Sequence, residues 1–242
     1  MKYAFITGAT SGIGLAIAEE LLKDDCFVYL NYANDSKRAD SLGKQLAEYS
    51  GQFKFIRADM SEYSGIEVIE AVLKEDDLQL DYLAINYGMT DRAAFEDISI
   101  ENWEQVMRAN VGVPCFLVQK LLTEELFAES ASVLFISSLM ASFPHSVSVS
   151  YGVSKAALTA LSNNLVKLIS PKGIRINAIE PGFVDTPWQK EKPEKQRKSI
   201  EEKTALGRFA KPEEVAEICL AALKNTYMTG SIIPISGGYS IK

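Results

Sequence analysis

The chain has one histidine, His145, and three cysteines, Cys26, Cys115 and Cys219, in 242 residues. The cysteines are far apart and each stands in an apolar stretch, which points to buried reduced thiols rather than a disulfide, a metal site or a nucleophile. His145 reads as an exposed loop histidine. No apolar run is long enough to span a bilayer, and the opening "MKYAFITG" lacks the charged, apolar and small-residue regions of a secretory signal. The expectation is a cytoplasmic protein with no membrane partner and no bound metal. Positive charge is also in short supply: 25 Lys and Arg against 32 Asp and Glu leave a net charge of −7, which argues against nucleic acid or an anionic membrane as partner. The mixed run from Lys190 to Lys203 reads as a solvated helix.

What the chain does have is regular alternation. Short β-rich runs ("YAFIT", "FVYLN", "FKFIR", "DYLAIN", "SVLFISS", "IRINAIE", "SIIPIS") are separated by longer segments with helical apolar spacing, such as "GLAIAEELLKD" and "SKAALTALSNNLVKLIS". Residues 101–127 read as one long helix. Such alternation implies right-handed βαβ units, hence an α/β fold with a parallel seven-stranded sheet covered by helices on both faces. No linker or repeat divides the chain, so residues 1–242 are expected to form a single domain. Ligands bind such sheets at the carboxyl ends of the strands.

After the first strand comes "TGATSGIG", in which Gly8, Gly12 and Gly14 lead into a helix. Glycines there allow a tight turn and close approach of a pyrophosphate to the helix N-terminus. The second strand ends at Asn31, where a site selective for NAD offers an acid to the ribose 2′-hydroxyl. Asn31, Asn34, Ser36 and the pair Lys37 and Arg38 suit a 2′-phosphate better, so NADP(H) is expected over NAD(H), with Asp35 working against it. Farther on, "SVSYGVSK" places Tyr151 and Lys155 one helical turn apart, and a cation so near would lower the phenol pKa.

These features, with Asp59 after the third strand, "NYG" (86–88), Asn110 in "RANVG", Ser138, "PGFVDT" (181–186) and the C-terminal "MTGSIIPISGGY", resemble the classical short-chain dehydrogenase/reductase family along the whole chain. The resemblance implies a Rossmann-type doubly wound sheet and hydride transfer between nicotinamide and a carbonyl or alcohol carbon. It gives Tyr151 the role of general acid and Lys155 that of lowering its pKa and holding the nicotinamide ribose. Ser138 would steady the substrate oxygen, with the adjacent Ser137 as rival, and Asn110 would hold a relay water. Cofactor contacts would come from Gly8, Ser11, Gly12, Ile13, Gly14, Asn31, Asn34, Ser36, Asp59, Met60, Asn86, Gly88, Tyr151, Lys155, Pro181, Gly182, Val184 and Thr186. Residues 187–209 would form a flexible lid over the substrate, and the family usually assembles as a homotetramer.

Among family members the chain most resembles β-ketoacyl-[acyl-carrier-protein] reductases of fatty-acid biosynthesis, which implies a carrier-linked thioester substrate. Two departures stand against simple transfer. Tyr87 is large where the family has a small residue, on the expected path of the cofactor ribose. "TEELFAES" places Glu124, Glu125 and Glu129 where a surface docking an acidic carrier is usually basic, leaving only Lys172 nearby. Reduction of free or CoA-linked ketones, sugars or polyols is the alternative, and a catalytically silent NADP-binding sensor or scaffold is the alternative of another class.

Overall fold

In the computed structural model, residues 1–143, 148–190, 192–239 and 241 are described. His145 falls outside them. Seven strands form one sheet in the order β3-β2-β1-β4-β5-β6-β7, every neighbouring pair parallel. They are β1 (Tyr3–Ile6), β2 (Phe27–Tyr32), β3 (Phe53–Arg57), β4 (Leu80–Ile85), β5 (Phe127–Ile136), β6 (Arg175–Pro181) and β7 (Ile232–Ile235). The order reverses direction between β1 and β4, the switch point at which an open parallel sheet leaves a crevice.

Alternation along the strands divides the core in two. Phe5, Tyr29, Leu83, Phe135 and Ile176 face one layer, built with α3 (Ser64–Glu75), α5 (Val113–Thr123) and α6 (Val149–Ile169). Ala4, Ile6, Val28, Leu30, Leu134 and Ile136 face the other, which holds α1 (Gly12–Lys23) and α9 (Pro212–Lys224). Because both faces are covered, the inner strands read as continuous apolar runs. The remaining helices are α2 (Ser36–Gln45), α4 (Ile100–Met107), and α7 (Pro187–Lys190) with α8 (Glu194–Lys203), which arch over the carboxyl end of the sheet.

The long helix expected over residues 101–127 is three pieces. After α4 a π-turn, Arg108–Gly112, interrupts the ladder before α5, and α5 stops at Thr123 so that Phe127 can enter β5. Tertiary pairing overrides helical spacing here: Leu80 N–H donates to the Leu126 carbonyl, which draws "LFAES" into the sheet. Glu124 therefore lies in a turn, where it pairs with Lys74 at 2.6 Å and Lys120 at 3.7 Å. It stands at the C-terminal end of α5, where the sequence put it, with its charge offset by these lysines.

Candidate active site

A cleft of about 730 Å³ opens at the carboxyl ends of the strands. That volume lies in the range of small-molecule and cofactor sites. Its floor begins with the glycine turn. Gly8 and Gly12 have φ of +62° and +56°. A Cβ on Gly14 would come within 2.5 Å of both the Gly8 carbonyl oxygen and Asn86 Nδ2, so the turn closes only without a side chain there. Helix α1 starts with no acid in its first turn and no side-chain cap from Ser11, which leaves its first N–H groups for an anion. Ser11 and Ile13 line the cleft beside them.

The turn is held from beneath by side chains. Thr7 Oγ1 accepts from the N–H groups of Asn86 and Tyr87, both at 2.9 Å, and Asn86 Nδ2 donates to the carbonyls of Thr7 and Gly8 at 3.1 and 3.0 Å. Asn31 belongs to this frame and not to the 2′-phosphate reader expected from its position. Its Oδ1 accepts from Gly8 N–H at 3.1 Å and its Nδ2 donates to the Ala58 carbonyl at 2.9 Å, within a fully buried environment. A residue at the end of β2, between the glycine turn and β3, is captured by the backbone groups on either side. Asn34 and Ser36 are exposed at the start of α2, away from the cleft lining, and Asp35 caps that helix by accepting from Arg38 N–H. The cations near this edge are Arg38, whose Nε donates to the Thr10 carbonyl at 2.8 Å, and Arg57, whose Nε donates to the Ala33 carbonyl at 3.2 Å. Arg57 carries no sequence signal because only the β2–β3 pairing brings it here.

Asp59 is exposed and accepts from Ser61 N–H and Oγ, while Met60 is buried and lines the cleft. Tyr87 turns its ring into the core layer beside α5 and its hydroxyl toward Ser61 and Asp59; burial raises its pKa. Pro181, Gly182, Val184 and Thr186 line the far wall.

At the centre stand Ser138, Tyr151 and Lys155. Ser137 Oγ is occupied by the Lys155 carbonyl at 3.0 Å and Thr159 Oγ1 at 2.8 Å, whereas Ser138 hydrogen-bonds the Tyr151 hydroxyl. Alternation at the end of β5 separates the two serines. Lys155 Nζ lies 5.6 Å from the centre of the Tyr151 ring and donates to the Ile136 carbonyl at 2.8 Å. The pKa of Tyr151 is not lowered as the sequence reading expected. Burial pushes it up to about 12, against the smaller opposing pull of the Ser138 hydrogen bond. Burial also lowers Lys155 to about 8. Enclosure penalises both charged forms, and the ammonium points at a carbonyl rather than at the phenol oxygen. Gly88 keeps the space open: a Cβ there would stand 3.2 Å from Lys155 Nζ and 3.5 Å from Asn110 Oδ1.

Asn110 sits in the π-turn and is fully buried. Its Oδ1 accepts from Met89 N–H at 2.8 Å, and its Nδ2 donates to the Met89 carbonyl and to Ser154 Oγ, each at 2.8 Å. It ties the loop after β4 to α6. Glu180, unremarked in the sequence reading, is a buried carboxylate that accepts from Ser142 at 2.8 Å and Thr159 at 3.0 Å, bracing the segment after β5.

A family model described as Enoyl-(Acyl carrier protein) reductase matches residues 8–240. The chain belongs to the short-chain dehydrogenase/reductase family. Among relatives of this family, the chain is 30% identical to a 3-oxoacyl-[acyl-carrier-protein] reductase FabG of Thermotoga maritima, over 99% of this chain and 98% of that protein. It is 32% identical to glucose 1-dehydrogenase 2 of Bacillus subtilis, over 99% of this chain and 95% of the relative. The solved Pseudomonas aeruginosa RhlG/NADP active-site complex superposes with a TM-score of 0.91 at 30% identity, covering 99% of this chain and 96% of that one. The protein is accordingly an oxidoreductase of the short-chain dehydrogenase/reductase family, a family that uses NAD(P). Its cleft suits a dinucleotide: the uncapped helix start faces a side-chain-free turn, and among the described lining residues there is no Asp or Glu to repel phosphate.

Proposed function

We propose that this oxidoreductase reduces a ketone with NADPH, with Tyr151 as the acid. The observation that carries the reading is the convergence of Ser138, Tyr151 and Lys155 in one cleft with the glycine turn. When bound, the cofactor supplies the hydride taken up by the carbonyl carbon. Tyr151 gives its proton to the carbonyl oxygen as negative charge develops there. A phenol held at about 12 keeps that proton at neutral pH, as an acid must. Ser138 donates a hydrogen bond to the same oxygen. Lys155 positions the ribose, and its cation favours the tyrosinate left after transfer until a proton from solvent restores the phenol. Asn110 fixes the backbone of Met89 over Lys155. Helices α7 and α8 act as a lid, with Trp188, Gln189 and Ile200 on the cleft.

Selection of NADPH falls to Arg38 and Arg57, exposed cations beside the end of β2, with Asp35 occupied in capping α2. Like the FabG relative, the protein would take 3-oxoacyl groups. Glu125 and Glu129, which form no ion pair among the described residues, weigh against docking of an acidic carrier and leave room for CoA-linked or free ketones. Assembly into a homotetramer would use the outward faces of α4, α5 and α6, where Ile100, Phe116, Val153 and Leu168 are exposed.

The test is oxidation of NADPH and NADH at 340 nm against acetoacetyl-CoA, a carrier-linked 3-oxoacyl substrate, simple diketones and ketosugars. The expected result is turnover preferring NADPH, a loss of about 10²–10⁴-fold in kcat for Tyr151→Phe, and an NADPH preference reduced about tenfold or more by Arg38→Ala. Cofactor binding without turnover of any ketone would overturn the reductase reading in favour of a sensor.

A further inference from the structure

The protein is acidic, yet every charged side chain among the described residues lining the cleft is cationic: Arg92, Lys155, Lys192 and Lys203. Lys155 serves the catalytic centre. Arg92 and Lys192 do not, and they stand together.

Arg92 follows β4 on a loop anchored from below, where Ser148 Oγ donates to the Asp91 carbonyl and Thr90 Oγ1 lies 2.8 Å from Ser148 Oγ. The Asp91 carboxylate accepts from Ala93 N–H at 2.9 Å and, among the described residues, forms no ion pair with Arg92. Arg92 Nη2 instead reaches the Trp188 carbonyl at 3.5 Å, which brings it to the lid. Lys192 is on that lid. Burial, and then the charge of Arg92, lower its pKa. Among the described residues neither forms an ion pair.

The pair lies at the substrate end. Trp188, whose carbonyl Arg92 contacts, stacks at a tilt with its ring 6.1 Å from that of Tyr151. The cofactor phosphates belong at the glycine turn, at the start of α1. The lining of the cleft that holds the two cations and Tyr151 includes the apolar Leu139, Met140, Phe143 and Trp188 together with the polar Thr90, Ser148 and Gln189. Two cations that form no ion pair among the described residues, in a cleft with apolar lining, are complementary to an anion carried on an apolar body.

We propose that the physiological substrate is a ketone bearing a carboxylate, the carboxylate binding Arg92 and Lys192 while its apolar segment lies along Met140, Phe143 and Trp188. This rests on the ketone-reductase reading and names its substrate class.

The experiment compares 3-, 4-, 5- and 6-oxo acids with their methyl esters, using NADPH and the full-length wild-type, Arg92→Gln, Lys192→Gln and double-variant proteins. For at least one chain length the wild type should prefer the acid over its ester by about tenfold or more in kcat/KM. The double variant should lose that preference through KM, with ester turnover unchanged, which also shows that it folds and carries out the chemistry. The acid preference should shrink as ionic strength rises. Equal use of acids and esters by the wild type, or an equal fall for both in the variants, overturns the carboxylate inference alone. Absence of turnover for every acid and ester, with either cofactor, overturns the ketone-reductase reading and this inference with it.

Discussion

The two ends of the cleft are built on opposite terms. At the glycine turn, polar side chains serve the backbone: Thr7, Asn31 and Asn86 give their hydrogen bonds to Gly8, Tyr87, Ala58 and one another's main chain. At the lid, Arg92, Gln189, Lys192 and Gln196 line the cleft, and among the described residues the only hydrogen bond their side chains make is the long one from Arg92 to the Trp188 carbonyl. A pyrophosphate is bound through main-chain N–H groups, so the residues around it work by fixing the chain. A variable substrate is bound by side chains, which must be left free to meet it.

That contrast predicts unequal responses to substitution. The largest effect is expected for Gly14→Ala, because the added Cβ overlaps a main-chain oxygen at 2.5 Å that cannot swing aside. NADPH affinity, followed by fluorescence titration, should fall by about 100-fold or more, the equivalent of about 3 kcal/mol. Retained affinity would mean that the turn is softer than its hydrogen bonds imply.

Next is Lys155→Met, read as stability against pH. The folded pKa of Lys155, about 8, lies below the ordinary 10.5. From pH 8 to 10.5 the unfolded chain therefore binds the extra proton, and wild-type stability rises with pH in that window. Relative to Lys155→Met, the ligand-free wild type should gain on the order of 3 kcal/mol across it in denaturant titrations. A flat difference would show that Lys155 is solvated.

Asn31→Asp separates framing from cofactor choice. It should destabilise the protein by about 1–3 kcal/mol in chemical denaturation, since a carboxylate cannot donate to the Ala58 carbonyl. It should not turn the enzyme toward NADH; a gain in NADH use at unchanged stability would restore Asn31 to the ribose site. At the lid, Gln196→Ala should alter stability by no more than about 0.5 kcal/mol, and a larger loss would erase the contrast between the two ends.

Much of this was legible in the sequence. Period-two and helical spacing marked the strands and most helices, because a sheet covered on both faces demands long apolar runs. The glycine turn was legible because no other residue permits its backbone. The spacing of Ser138, Tyr151 and Lys155 indicated their meeting, since β5 and α6 are rigid and adjacent. Less legible were features that depend on long-range neighbours. The break in residues 101–127 arises from strand pairing with β4. The commitment of Asn31 arises from β3 lying beside it. The high pKa of Tyr151 arises from enclosure, whereas the sequence showed only a nearby lysine.

The parallel sheet and the turn at its switch point were thus written in the sequence, because local backbone requirements and repeated apolar spacing are set residue by residue, while the chemistry followed from the resemblance to the family. Only the tertiary structure decided where charge goes: Glu124 neutralised by Lys74 and Lys120, Arg57 brought to the edge of β2, and Arg92 set against Lys192 in a cleft free of acids among its described residues. Charges interact through space, and which of them become neighbours depends on how distant segments pack.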